Sequence, residues 1–155
     1  MPKNNECIFC EIVKGTAPSF IVWEDHNFLA FLNIYPNTEG FTVVIPKKHY
    51  SSYFADVPND VLTELVLASS KVAKLLDEKL EDVGRTGLIF EGFGVNHLHA
   101  KLSPMHGTKQ ADWKPILSEN KLYFDRYPGY LSSHSANRAS DEELEKVAKK
   151  IRENN

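Results

Sequence analysis

Two histidines and a lysine recur at every second position of Asn96-His97-Leu98-His99-Ala100-Lys101-Leu102. Polar and apolar residues alternate along this stretch, the pattern of a half-buried strand. Residues two apart on a strand share a face and lie roughly 6.6 Å apart. The spacing predicts His97, His99 and Lys101 on one face, with Leu98, Ala100 and Leu102 turned into the core. Two imidazoles and an ammonium in a row suit phosphate chemistry, a nitrogen nucleophile flanked by a cation. The plainer reading competes with it: a histidine on a strand is often only a surface or hydrogen-bonded residue.

A second group with chemical potential is Cys7-Ile8-Phe9-Cys10. Such a pair has three readings: a redox couple, half of a zinc site, or two unrelated cysteines. A redox pair of the thioredoxin type should follow a strand and open a helix, and no strand precedes this one. Zinc needs two more ligands, commonly histidines. His49 and His97 are the candidates, which makes the set Cys7, Cys10, His49 and His97.

These residues need a scaffold. Glu11 to Gly15 reads as a short helical turn, stopped by Gly15 and Pro18. Phe20–Glu24 and Phe28–Asn33 read as strands joined by an Asp25-His26-Asn27 turn. Phe41–Pro46 is a β-branched run ended by proline, and Lys47-Lys48-His49 follows at its exit. From Asn59, a plausible N-cap, to about Leu80 the period changes to 3.6. Leu62, Leu65, Val66, Ser69, Val72, Ala73 and Leu76 then form one apolar stripe. Asp82–Arg85 reads as a turn, Thr86–Glu91 as a strand, and Gly92-Phe93-Gly94 as a tight link into the His97 strand. Glycines in that link let the backbone approach a ligand. Leu122–Tyr130 is aromatic-rich and reads as a strand or an ordered arm. Ser140 and Glu143 form a capping box before a last helix with Leu144, Val147, Ala148 and Ile151. Strands linked by short turns, with helices between them, predict an α+β domain: an antiparallel sheet, one long helix packed on it, and a C-terminal helix.

The chain has 155 residues and a net charge of −3, which argues against a general nucleic-acid binder. No run of about 18 apolar residues is present, so no membrane span is expected. Met1–Glu6 leads into no apolar signal region, and a cytoplasmic location is expected. With only 2 cysteines, three apart, there is no disulfide framework.

The residues His97-Leu98-His99-Ala100-Lys101-Leu102 resemble the histidine triad (HIT) motif, in which histidines alternate with apolar residues. Cys7-Ile8-Phe9-Cys10, Phe31-Leu32-Asn33-Ile34 and Val44-Ile45-Pro46-Lys47-Lys48-His49 also resemble segments of HIT proteins, in family order and spacing. The resemblance covers about residues 7–104 and implies a single HIT-like domain over 1–155, with a C-terminal extension from about 105. It implies a nucleotide hydrolase or nucleotidyl transferase acting at an α-phosphate. Nucleoside phosphoramidates or dinucleoside polyphosphates are the implied substrates. A catalytically weak nucleotide-binding or interaction module of the same fold is the alternative.

Carried over by position, His99 is the implied nucleophile, forming a covalent nucleotidyl-histidine, with His97 and Lys101 beside it. Asn33 matches the residue that holds the ribose, and Ile12, Phe31 and Ile34 match the apolar base slot. The resemblance also implies a structural zinc on Cys7, Cys10, His49 and His97, a small nucleotide as partner, and a homodimer. The chain departs from the family in two places. Lys101 stands where the third histidine belongs; it supplies charge as a point donor, and a buried lysine that gives up its proton can serve as leaving-group acid. Gly92-Phe93-Gly94-Val95-Asn96 replaces the usual Gly-Gln-Ser segment, leaving backbone amides such as that of Gly94, with Asn96 and Lys101, to hold phosphate. The C-terminal extension, including His134, has no assigned role.

Overall fold

The computed structural model describes residues 7–153. Met1–Glu6, read above for their lack of an apolar leader, lie outside the described residues. The chain divides into two compact units, Met1–Asp112 and Trp113–Asn155.

The first unit holds helix α1 (Ile8–Lys14), strands β1 (Ile21–Glu24), β2 (Phe28–Leu32) and β3 (Thr42–Pro46), the long helix α2 (Asn59–Lys79), and strands β4 (Val83–Ile89) and β5 (Ala100–His106). The five strands make one sheet in the order β1-β2-β3-β5-β4, and every neighbouring pair is antiparallel. Phe28 and Ala30 of β2, Val44 of β3, and Leu98, Ala100 and Leu102 point to one face. There α2 covers them with Leu65, Ala68, Val72 and Leu76. Each fully buried side chain of this size contributes roughly 1.5–3 kcal/mol, so this stripe is the main adhesive of the unit. Leu29, Phe31, Val43 and Ile45 point to the other face, where Ile12 of α1 meets them. Burial on both faces explains why β2 and β3 read as continuous apolar runs.

The structure corrects several boundaries. The motif strand starts at Ala100, not Asn96, and runs through Pro104 to His106. His97, Leu98 and His99 lie outside the ladder: His97 sits in a bend with its amide donating to the Val95 carbonyl, and the Leu98 amide donates to the Tyr50 carbonyl. Pro104 is tolerated inside β5 because β3 pairs with β5 only through Leu102. Beyond that point one side of β5 is an edge, where a missing N–H breaks no ladder. Val83–Arg85 is strand and not turn; Val83 is buried, and an irregular register between Val83 and Thr86 lets β4 bend. Helix α1 begins three residues before the expected turn, at Ile8. The cap of α2 is Pro58, with Asn59 as first helical residue, and Val66 of the expected stripe is exposed.

The second unit contains helix α3 (Asp141–Glu153). Ser140 caps it reciprocally: the Glu143 amide donates to Ser140 Oγ at 3.2 Å, and the Ser140 amide donates to Glu143 Oε2 at 3.2 Å. Leu122–Tyr130 forms no strand. Gly129 turns it in the left-handed region at φ 95°, and Phe124 packs edge-on against Tyr130 and His134. The His134 Nε2–H donates to the Leu122 carbonyl at 2.7 Å, so the histidine staples the arm to itself.

Candidate active site and metal centre

The face of the sheet under α1 carries a cavity of about 490 Å³. Its floor is apolar, with Ile12 from α1, Phe31 from β2 and Val43 from β3. His99 and Lys101 enter from one wall, and Asn33 and Ile34 from the end of β2. Register explains the placement. Val43 pairs with Lys101 and Val44 with Ala100, so the alternation that buries Ala100 against α2 turns His99 and Lys101 towards the cavity.

His99 is almost fully buried. Its Nδ1–H donates to the His97 carbonyl at 2.7 Å. In the neutral ring that bond leaves the lone pair on Nε2. Burial lowers the His99 pKa from its usual value, while backbone hydrogen bonds at His97 and Phe93 act against that shift. The ring of Phe9 packs edge-on against His99 at 5.5 Å and against Phe31 at 5.3 Å, closing one side of the site. The result is a buried imidazole whose orientation is fixed by the His97 carbonyl and whose pKa lies below its usual value.

Lys101 shares the wall with His99, and burial pushes its ammonium pKa down. It forms an ion pair with Glu91, two residues beyond β4. Asn33 sits at the rim, where its Oδ1 accepts the Tyr35 amide at 2.8 Å in an Asx turn. Ile34 is an exposed lip, whereas Ile12 and Phe31 are buried in the floor. Gly94 also lines the cavity, at φ 89°. Asn96 is not among the lining residues. Its Oδ1 accepts the Ser52 amide at 3.1 Å, while Ser52 Oγ donates to the Gly92 carbonyl at 2.8 Å, so Ser52 pins both ends of the glycine link.

His97 does not line this cavity and belongs instead to a cluster with Cys7, Cys10 and His49. Cys7 precedes α1 and Cys10 lies in its first turn, so the spacing of three puts both on one side. His49 arrives from the exit of β3, and His97 from the segment before β5. The His97 Nε2–H donates to the Pro46 carbonyl at 2.8 Å. That leaves the lone pair of Nδ1 pointing at Cys7 Sγ, 3.5 Å away, and Cys10 Sγ, 3.6 Å away. Cys10 Sγ lies 3.3 Å from His49 Nδ1. The four ligand atoms all fall within 4.8 Å of one another. Tetrahedral zinc with ordinary Zn–S and Zn–N bonds has edges of about 3.5 Å, so the donor set and its spacing fit the ion. Burial, followed by the neighbouring His49 and His99, drives the His97 pKa down to about 4, against the pull of the Pro46 carbonyl. Burial and then Cys7 push the Cys10 thiol up to about 11. A bound cation would reverse that last effect, since coordination displaces the thiol proton.

Sequence reasoning missed Glu91, Phe9 and Ser52. Glu91 had a signal, a lone charge at the end of the apolar run Leu88-Ile89-Phe90. Phe9 had one too, since Phe9, Ile12 and Val13 share helical spacing. Ser52 had none.

Comparison with known proteins agrees with this architecture. The HIT domain model matches residues 14–106. An uncharacterised HIT-like protein of Methanocaldococcus jannaschii is 38% identical over 104 residues, covering 64% of this chain and 79% of that protein. An adenosine 5'-monophosphoramidase of Candida albicans is 32% identical over 112 residues, covering 67% of this chain and 73% of its own. The crystal structure of a zinc-bound histidine triad family protein from Mycobacterium smegmatis superposes with a TM-score of 0.63 at 27% identity, covering 74% of this chain and 85% of that one. With its five-stranded antiparallel sheet, its paired imidazoles and a family match spanning the sheet and the long helix, the chain belongs to the histidine triad (HIT) family.

Proposed function

We propose that the protein is a nucleotide hydrolase or nucleotidyl transferase that works through His99. The observation that carries this reading is the bond from His99 Nδ1–H to the His97 carbonyl, which in the neutral ring leaves the lone pair on Nε2, on the wall of an apolar cavity that Lys101 shares. The likeness to an adenosine 5'-monophosphoramidase supports a nucleoside phosphoramidate as substrate; a dinucleoside polyphosphate is the other class to test.

In this mechanism Ile12, Phe31 and Ile34 take the base and Asn33 the ribose. The Nε2 lone pair attacks the α-phosphorus. A nitrogen–phosphorus bond forms, and the bond to the leaving group breaks with its electron pair. Lys101 offsets charge on the phosphoryl oxygens and donates a proton to the departing group. Backbone amides of the glycine link, Gly94 among them, hold the remaining oxygens. Water or another acceptor then attacks phosphorus and gives its proton to the now neutral Lys101; the nitrogen–phosphorus bond breaks, releasing the nucleotide and restoring both His99 and Lys101. Neutral imidazole suits both halves, being nucleophilic near pH 7 and a good leaving group from phosphorus.

Cys7, Cys10, His49 and His97 would hold a structural zinc in a closed four-ligand shell, which supplies anchorage and no reaction chemistry. The reading also takes the protein as cytoplasmic and, as the family resemblance implies, as a homodimer.

The test is intact-protein mass spectrometry after brief mixing with adenosine and guanosine phosphoramidates and dinucleoside polyphosphates, quenched in alkali. A mass increase of one nucleotidyl group, absent in His99→Ala, is expected. Nucleotide binding with neither adduct nor product across the panel would replace the enzyme with a binding module.

A further inference from the structure

We propose that Glu91 is a positioning residue for Lys101: it holds the ammonium on the cavity wall and keeps it protonated. This rests on the reading above, in which Lys101 serves the phosphate. Lys101 lines the cavity; Glu91 is not among its lining residues and pairs with the ammonium. The Glu91 side chain is 12% exposed and that of Lys101 25%, so water screens the pair weakly. Lysine carries its charge on a flexible four-carbon stem. A carboxylate fixed just beyond β4 removes that freedom at one ammonium hydrogen and leaves two others for phosphate oxygens.

The family position filled here by Lys101 normally carries an imidazole, whose ring needs no such restraint. A lysine set into a partly buried wall faces two problems, loose geometry and loss of its proton to desolvation. One carboxylate answers both. The groups around Lys101 are few: Val43 and Ile89 flank it in register on β3 and β4 and are apolar, His99 is titratable two residues earlier, and Glu91 is the charged partner.

The test compares Glu91→Gln with wild type by two readouts. The first needs no substrate: the titration of the Lys101 side chain by carbon-13 NMR of lysine-labelled protein, with the resonance assigned by Lys101→Arg. Glu91→Gln should lower the Lys101 titration by about one pH unit, the smaller end of the effect of a nearby opposite charge. The second is the pH profile of kcat/KM on a nucleoside phosphoramidate. Its alkaline limb should move down by the same amount, and the movement should vanish in a Lys101→Arg background, because arginine stays protonated. An unmoved Lys101 titration, or activity reduced equally at all pH values, would overturn the proposal in favour of a merely structural pair. A wild type that turns nothing over while its Lys101 titration still shifts on Glu91→Gln would instead sink the catalytic reading and leave the pairing intact.

Discussion

At the scale of single residues, the site depends on which nitrogen carries a proton. His99 spends its Nδ1–H on a carbonyl and His97 spends its Nε2–H on another, so the two rings present opposite nitrogens to their tasks. A glutamine or asparagine reproduces one polar contact of such a ring but not its basic lone pair. Lys101 is the other reactive group on the wall. Lys101→Ala should lower kcat/KM by about 10²-fold or more, the usual loss when one oxyanion-stabilising donor is removed. Lys101→Arg should retain part of it. Steady-state kinetics with an unchanged far-ultraviolet circular dichroism spectrum would check both, and equal rates in Lys101→Ala and wild type would remove the residue from the site. Much of this was legible in the sequence. Histidines two apart, a cysteine pair three apart and an asparagine after an apolar strand are local patterns, and local patterns survive in one dimension. The lone charge of Glu91 after an apolar run was visible, but its pairing was not legible, because its partner stands ten residues away across a link of unknown geometry.

At the scale of elements, the ends of the strands are held by polar clips. His106 closes β5: its Nδ1–H donates to Asp82 Oδ1 at 2.8 Å and its Nε2–H to the Glu39 carbonyl at 2.8 Å. Both ring nitrogens face acceptors, so only the imidazolium satisfies both. The two partners shift in opposite directions. The Glu39 carbonyl, then Asp82, raise His106 above its usual 6.5, and the bond from His106 lowers Asp82 below its usual 3.8. The stability from His106 is thus complete below about pH 6.5 and lost as pH rises through its folded value; that from Asp82 is present above about pH 3.8 and lost as pH falls through its own. Urea midpoints of wild type and His106→Ala should therefore differ most between about pH 4 and 6.5 and converge above that window. A constant gap up to pH 9 would show that the charge pair contributes nothing. The elements that sequence misjudged share a cause. Proline in β5 and the apparent turn at Asp82–Arg85 are edge and bulge features, and both depend on where a neighbouring strand stops.

At the scale of the whole first unit, three distant segments meet at the cysteine and histidine cluster. The start of α1 supplies two ligand atoms, from Cys7 and Cys10, and the exit of β3 and the approach to β5 supply one each. Purified protein should carry about one zinc per chain, and Cys10→Ser should lose it. Because structural zinc contributes folding energy outright, that variant should also melt on the order of 10 °C lower. Elemental analysis with calorimetry would decide; full metal content in Cys10→Ser would dissolve the proposed shell. The succession of strands along the chain was legible from turns and periodicity, and the long helix from its stripe, but the β1-β2-β3-β5-β4 order within the sheet was not. The division after Asp112 falls close to residue 105, where the family resemblance stops and the extension begins. The position occupied by His97 has a final consequence for variation. Its ring belongs to the cysteine cluster, but the group that orients His99 is its backbone carbonyl, which every amino acid possesses. A library of replacements at 97 should therefore lose metal uniformly while losing turnover unevenly, and the spread of the second measures how firmly the anchor holds the carbonyl in place.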